Sequence, residues 1–242
     1  MTTNINEQLV LIAGESGTGK SASLQNLPNH NRVMYLNCEA GKRPPFKNQF
    51  KSFIITNPMV VFEAFDHAKG NPDYDVIVVD TLTFLMDMFE TQFVLSSANT
   101  MQAWGQYAQY FKQLMQDKVA SSDKAVIFLA HTLSTLDEKA MEMKTQVPIK
   151  GALKNNGIEA YFSTVVATKK VSLKDLENYK SDLLTISETD LMLGYKHVFQ
   201  TQLTKQTIGE RIRSPMGMFT REQTYMNNDA GMLLSHLHDY YA

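Results

Sequence analysis

A three-layer α/β fold with a largely parallel central sheet is the fold class this sequence predicts, and three observations carry that expectation. Residues 9–13 (Leu-Val-Leu-Ile-Ala), 75–80 (Asp-Val-Ile-Val-Val-Asp) and 125–130 (Ala-Val-Ile-Phe-Leu-Ala) are short, nearly continuous apolar runs. Strands covered on both faces, as in parallel sheets, have that pattern, whereas a half-exposed strand alternates. Stretches of helical spacing separate the runs, giving the strand–helix alternation of a layered α/β domain. The first run also stops at a glycine-rich turn, where the chain would pass from strand to helix.

In chain order, 9–13 predicts the first strand and 20–27 a helix that Pro28 ends. Residues 33–37 (Val-Met-Tyr-Leu-Asn) are a second strand candidate, followed by Glu39 and the Pro44-Pro45 turn, and 52–56 is a third. Val61, Phe62 and Phe65 give 58–68 helical spacing, closed by Gly70-Asn71-Pro72-Asp73. The run at 75–80 is the strongest strand signal. Residues 82–92 and 104–119 read as helices, 125–130 as a buried strand, and 163–168 and 197–202 as the last strands. The stretch 132–150 has no clear periodicity and predicts a long loop; in a compact domain such loops are functional or disordered. Residues 172–190 are polar and read as an exposed hairpin or small insertion. The chain reads as one domain, 1–242, with a small insertion at 172–196 and a C-terminal extension at 203–242.

The eight residues Gly14, Glu15, Ser16, Gly17, Thr18, Gly19, Lys20 and Ser21 satisfy G-x-x-x-x-G-K-[ST]. Glycines in this spacing let consecutive backbone N–H groups converge on one anion, and the following helix adds its positive end. Lys20 is expected to reach the β- and γ-phosphates of ATP, and the Ser21 hydroxyl to ligate Mg²⁺. Asp80 ends the strongest strand, where a carboxylate can hold the Mg²⁺ shell; the alternative is a cap for the next helix. Residue 81 is Thr, so a base for water activation must come from elsewhere. Glu39, just past the second strand and on the same sheet edge as the loop, is the candidate, against the alternative of an exposed loop carboxylate. His131 follows the 125–130 strand, placed to sense the γ-phosphate or, alternatively, to hydrogen-bond within the sheet edge.

Composition narrows the setting. Hydrophobic residues make up 43% and charged residues 20%, and no apolar run approaches the roughly 18–20 residues that span a bilayer. The N-terminus lacks the basic and apolar regions of a secretory leader, and the single cysteine, Cys38, has no internal partner. Together these predict a cytoplasmic protein without a membrane partner. The formal net charge of −2 gives no chain-wide attraction for nucleic acid, so any DNA contact needs a local basic surface. The 14 methionines predict flexible core filling.

As an ordered set, Glu39, Asp80-Thr81 and His131 resemble the RecA-like recombinase core. That family has a glutamate after the second strand, a small hydroxyl residue after the metal-site aspartate, and a polar sensor before a mobile DNA-binding loop. Lys150-Gly151-Ala152-Leu153-Lys154 looks like the segment that ends the second such loop. The likeness is greatest to short phage RecA-like single-strand annealing proteins, in the 75–83 stretch, in Trp104-Gly105-Gln106-Tyr107 and in the Phe-Leu-Ala-His strand end. It covers residues 8–170 well and the rest loosely.

The resemblance implies an ATP-hydrolysing DNA recombination protein that works on single-stranded DNA in the host cytoplasm. It further implies self-assembly into a ring or filament, with a single-strand binding protein as a further partner. ATP would sit at a subunit interface with a basic residue supplied in trans. Arg211 and Arg213, within 210–215, are the expected source, and Lys169-Lys170 the second candidate. Full-length recombinases carry an additional DNA-capturing domain that this chain lacks, so annealing or strand loading is expected rather than strand exchange.

Chemistry independent of the resemblance adds little for DNA. Lys139, Lys144 and Lys150 in the 132–150 loop are balanced by Asp137, Glu138 and Glu142, and no aromatic residue is present there to stack on bases. Residues 96–102 are a second candidate DNA-facing loop. Two other functions use the same glycine-rich motif: a nucleotide or small-molecule kinase, disfavoured by the scarcity of arginines, and a non-hydrolysing ATP switch.

Overall fold

Val10 and Leu11, neighbours on the first strand, are both wholly buried, yet they belong to different cores. The computed structural model, which describes residues 6–138 and 141–242, explains why. Its strands are β1 (Leu9–Gly14), β2 (Val33–Asn37), β3 (Lys51–Ile54), β4 (Val76–Asp80), β5 (Ala125–His131), β6 (Leu133–Asp137), β7 (Glu142–Gln146), β8 (Thr164–Ser172), β9 (Tyr195–Gln200) and β10 (Tyr225–Asn227). Its α-helices are α1 (Val60–Ala68), α2 (Leu82–Phe89), α3 (Thr100–Gln113), α4 (Leu153–Asn156), α5 (Leu173–Leu176), α6 (Glu188–Leu193) and α7 (Ala230–Tyr241). Eight strands form one sheet in the order β10-β9-β8-β1-β5-β4-β2-β3. Strands β8, β1, β5, β4, β2 and β3 run parallel, and β9 and β10 add antiparallel to the β8 edge. This is the predicted fold class.

Alternate residues of β1, β4 and β5 supply the two cores. Leu11, Ile77, Val79 and Phe128 pack under α1, α2 and α3. Val10, Ile12, Val78, Ile127 and Leu129 pack on the opposite face with Leu24 and with Leu233, Leu234 and Leu237 of α7. Burial on both faces is why these strands read as unbroken apolar runs.

Local structure departs from expectation at several places. The predicted helix 20–27 is a 3₁₀ helix, Ser21–Asn26, and Leu27 is already extended (ψ 135°), as a residue before proline prefers. The second long helix begins at Thr100, not 104, because the Asn99 side chain accepts the Gln102 N–H at 3.2 Å and caps it. The proposed DNA-facing loop 96–102 therefore contains the first turn of α3. A π-helical turn, Leu114–Val119, completes that helix, and another, Glu90–Val94, extends α2.

Much of the predicted 132–150 loop is the antiparallel hairpin β6–β7, pinned by Ser134 and Thr145 hydroxyls 2.8 Å apart. Its strands are half-buried or exposed, so no apolar alternation marks them. Within it Lys144 pairs with Asp137, and Lys150 lies 2.7 Å from Glu90; Lys139 lies outside the described residues. The 172–190 stretch is not a hairpin. It contains α5 and leads into α6, each started by a serine whose side chain accepts an N–H three residues on: Ser172 from Asp175 and Ser187 from Asp190. Leu176, Val198 and Tyr225 form a small third core beneath it. Methionines divide between core positions such as Met34 and Met226 and exposed ones such as Met101 and Met216, so core filling accounts for only some of them.

Candidate nucleotide site

The sheet register assembles the site. Gly14 at the end of β1 pairs with His131 at the end of β5, while Asp80 at the end of β4 pairs with Asn37, two residues before Glu39. Adjacent parallel strands thus deliver the glycine loop, His131, Asp80 and Glu39 to one edge, the carboxyl edge where ligands bind in open α/β sheets.

Within the loop Gly19 has φ +111°, a conformation L side chains rarely adopt, and a Cβ there would come within 2.6 Å of Asn228 Nδ2. A Cβ on Gly14 would lie 2.1 Å from Thr168 Oγ1, so this glycine permits close packing of β1's end on β8. Lys20 is buried, and its Nζ donates to the carbonyls of Gly14 (2.9 Å) and Glu15 (2.8 Å). Burial lowers its pKa to about 8, against the attraction of Glu39 and Asp80.

Asp80 is 2% exposed. Its Oδ2 accepts from Tyr35 Oη (2.5 Å) and Ser21 Oγ (2.9 Å), while Oδ1 is buried without a partner among the described residues. Burial raises its pKa, the Tyr35 hydroxyl opposes that rise, and the Glu39 charge adds to it. A carboxylate with an unpartnered oxygen, bonded to a serine hydroxyl, is a hard-oxygen donor set that fits Mg²⁺.

Glu39 has a side chain only 9% exposed, which excludes the exposed-loop alternative. Its Oε1 lies 3.1 Å from His131 Nε2 and its Oε2 accepts from Lys42 at 2.9 Å. The His131 bond first, then Lys42, hold its pKa down at about 2 against the opposing effect of burial. His131 is also tied by its backbone N–H to Thr83 Oγ1 (2.9 Å).

A cavity of about 350 Å³ is lined by Ser16, Gly17, Gly19, Lys20, Ser21, Glu39, Asp80 and His131. Gly14, Glu15 and Thr18 face a separate cavity of about 420 Å³ on the other side of the loop, which Arg211 also lines. Arg211 donates to the Asn156 carbonyl (2.8 Å) and pairs with Glu159 (3.5 Å). Arg213 is exposed and lines neither cavity, and its backbone bridges Val165. Lys169 pairs with Glu210 at 2.5 Å.

Sequence reasoning missed Tyr35, Lys42, Arg43 and His197, all of which line the 350 Å³ cavity. A basic pair ahead of two prolines was the available signal for Lys42 and Arg43. Nothing local marked Tyr35 or His197.

Fold and site together define a P-loop NTPase, an α/β domain whose glycine loop, lysine and buried strand-end aspartate converge on one cavity. The chain belongs to the AAA domain family, whose model matches residues 6–209. It is thus an ATP-binding P-loop ATPase domain. Among solved structures, an ATPase domain of another protein is similar at 14% identity and a TM-score of 0.43, over 74% of each chain. A search of curated proteins returns no match. Among the described residues, no helix is long and apolar enough to cross a membrane.

Proposed function

We propose that this chain is a Mg²⁺-dependent ATPase acting on single-stranded DNA, in annealing or strand loading, as a homo-oligomer. One observation carries the chemical part: Lys20, Ser21, Asp80, Glu39 and His131, drawn from four strand ends, line a single cavity. In this reading the loop N–H groups and Lys20 bind the β- and γ-phosphates, and Ser21 and Asp80 hold the metal. Mg²⁺, when bound, neutralises charge on the phosphate oxygens. Glu39 orients a water toward the γ-phosphorus; the new O–P bond forms as the bond to the β-phosphate oxygen breaks, ADP leaves, and the water's proton passes by way of Glu39 to the phosphate released.

His131 reports the event. It bonds Glu39 and stands two residues before β6, so release of Glu39 to a water would alter the constraint on the β6–β7 hairpin. The DNA part rests on the RecA-like resemblance. It is tested by measuring ATP turnover with and without single-stranded oligonucleotide at two salt concentrations. Stimulation that weakens with salt supports it; no binding and no stimulation at low salt would remove DNA from the reading. Family membership favours an ATPase over a kinase, and an acceptor nucleotide should not accelerate phosphate transfer.

A non-hydrolysing switch has one observation in its favour: both Glu39 oxygens are engaged, by His131 and by Lys42. Nucleotide binding with no measurable hydrolysis by the parent would select it. For the arginines, we propose action in trans, since neither lines the nucleotide cavity of its own chain. Mixing Arg211→Ala,Arg213→Ala subunits with Glu39→Gln subunits should then restore part of the activity that each lacks alone.

A further inference from the structure

Just past β2 the chain turns sharply at residues 39–42. The Lys42 N–H donates to the Glu39 carbonyl at 3.1 Å and closes the turn, whose two central residues, Ala40 (φ 51°) and Gly41 (φ 81°), are both left-handed. Positive φ at both central positions belongs to a type I′ turn. Glycine adopts that conformation freely, but a Cβ makes it unfavourable at Ala40, so a contact outside the turn must hold it. Asn37 supplies that contact. Its Oδ1 accepts the Glu39 N–H at 2.9 Å, and its Nδ2 donates to the Lys42 carbonyl at 2.8 Å. One carboxamide thus fastens both ends of the turn.

We propose that Asn37 is a positioning residue of the ATPase reaction, setting where the Glu39 carboxylate stands at the nucleotide cavity. The inference rests on the reading of Glu39 as the group that orients the attacking water. Asn37 is 5% exposed and does not line the cavity, whereas Glu39 and Lys42 both do. It therefore acts through the turn and not on a phosphate. Its own place is fixed by the sheet, because it ends β2 in register with Asp80 of β4 on one side and Ile54 of β3 on the other. The clamp thereby refers Glu39 to the same strand ends that carry Asp80.

The residue type suits the task. A carboxamide carries an acceptor and a donor on one planar group; an ionised carboxylate cannot donate to the Lys42 carbonyl, and a serine hydroxyl can serve the N–H two residues on but not both ends. The turn also brings Lys42 back to Glu39, whose Oε2 accepts from Lys42 Nζ at 2.9 Å while Oε1 meets His131 Nε2 at 3.1 Å. With its backbone held by Asn37 and both oxygens held by partners from two elements, the carboxylate has few orientations open. A displacement of about 1 Å in a group of this kind can cost on the order of 100-fold in rate.

The test is a mutant cycle on the full chain: parent, Asn37→Ala, Glu39→Ala and the double variant, with Asn37→Ser as the milder change. Single-turnover phosphate release gives the rate, and a fluorescent ATP analogue gives the affinity. Asn37→Ala should slow release about 10–100-fold and leave affinity within about twofold, because the phosphate loop, Lys20 and Ser21 are untouched. Asn37→Ser, which keeps an acceptor for the Glu39 N–H, should lose less. In the Glu39→Ala background Asn37→Ala should slow the residual rate no further, since no carboxylate is left to position. An equal fractional loss in both backgrounds would overturn the proposal. So would a lowered melting temperature with parent-like turnover in both Asn37 variants, the signature of a residue that only forms the turn. Parent-like turnover of Glu39→Ala would instead remove the reading of Glu39 beneath it, and the positioning role with it.

Discussion

His131 Nε2 lies 3.1 Å from Glu39 Oε1, and this contact joins the ends of β5 and β2 across β4, the strand that ends in Asp80. Two residues 92 positions apart thereby meet across the strand that ends in Asp80, the carboxylate proposed to hold the metal. The arrangement makes Glu39 the group most open to direct test.

Glu39→Gln should keep its fold and its ATP affinity, because the amide is isosteric and the phosphate loop is untouched. Turnover should fall by about 10²–10⁴-fold, the usual contribution of a positioned base. Phosphate release, measured beside binding of a fluorescent nucleotide, separates the two effects. Turnover close to the parent's would place the base elsewhere.

The same carboxylate gives a pH signature. Its pKa is held at about 2 in the folded chain, against 4.5 for an ordinary glutamate, by His131 first and then Lys42. A depressed carboxylate stabilises the fold in full above the unfolded pKa, and that stability is lost as pH falls through the folded one. Thermal melts of parent and Glu39→Gln should therefore differ by a constant amount above about pH 4.5 and converge toward pH 2. A gap that widens on acidification would contradict the assigned partners.

His131→Ala should still bind ATP, since the loop, Lys20 and Ser21 remain. What should disappear is the response of the β6–β7 hairpin. Hydrogen exchange in 132–146 is expected to change on adding Mg²⁺–ATP to the parent and to stay constant in the variant. An unchanged response in the variant would assign the relay to another contact.

Removing Mg²⁺ with a chelator should abolish turnover. Asp80→Asn should raise the Mg²⁺ concentration for half-maximal rate by about tenfold or more, and Tyr35→Phe, which removes a hydrogen bond to Asp80 rather than the donor, should shift it in the same direction. An unshifted Mg²⁺ dependence in Asp80→Asn would remove the aspartate from the metal site; the helix-capping alternative does not hold, because Thr81 caps α2 by accepting the Phe84 N–H.

Much of the site was legible because it is local in sequence. The loop from Gly14 to Ser21 carries its own geometry, and the apolar runs before Gly14, Asp80 and His131 announce buried parallel strands whose ends share an edge. Glu39 could be read from its place after a strand. The hairpin β6–β7 was not legible, because two exposed strands leave no apolar alternation to read. The starts of α5 and α6 are marked by Ser-x-x-Asp, a signal present in the sequence but easily lost among polar residues.

By itself, then, the sequence determined the fold class, the phosphate loop and the strand ends around it, since each is specified by residues within a few positions of one another. Only the tertiary structure decided what surrounds them. Tyr35 meets Asp80 from 45 positions away, His197 reaches Thr18 from 179, and Asn228 reaches Gly19 from 209. Strand order and register bring these pairs together, and both are set by burial of two whole sheet faces, a property that belongs to the assembled layers and not to any one segment.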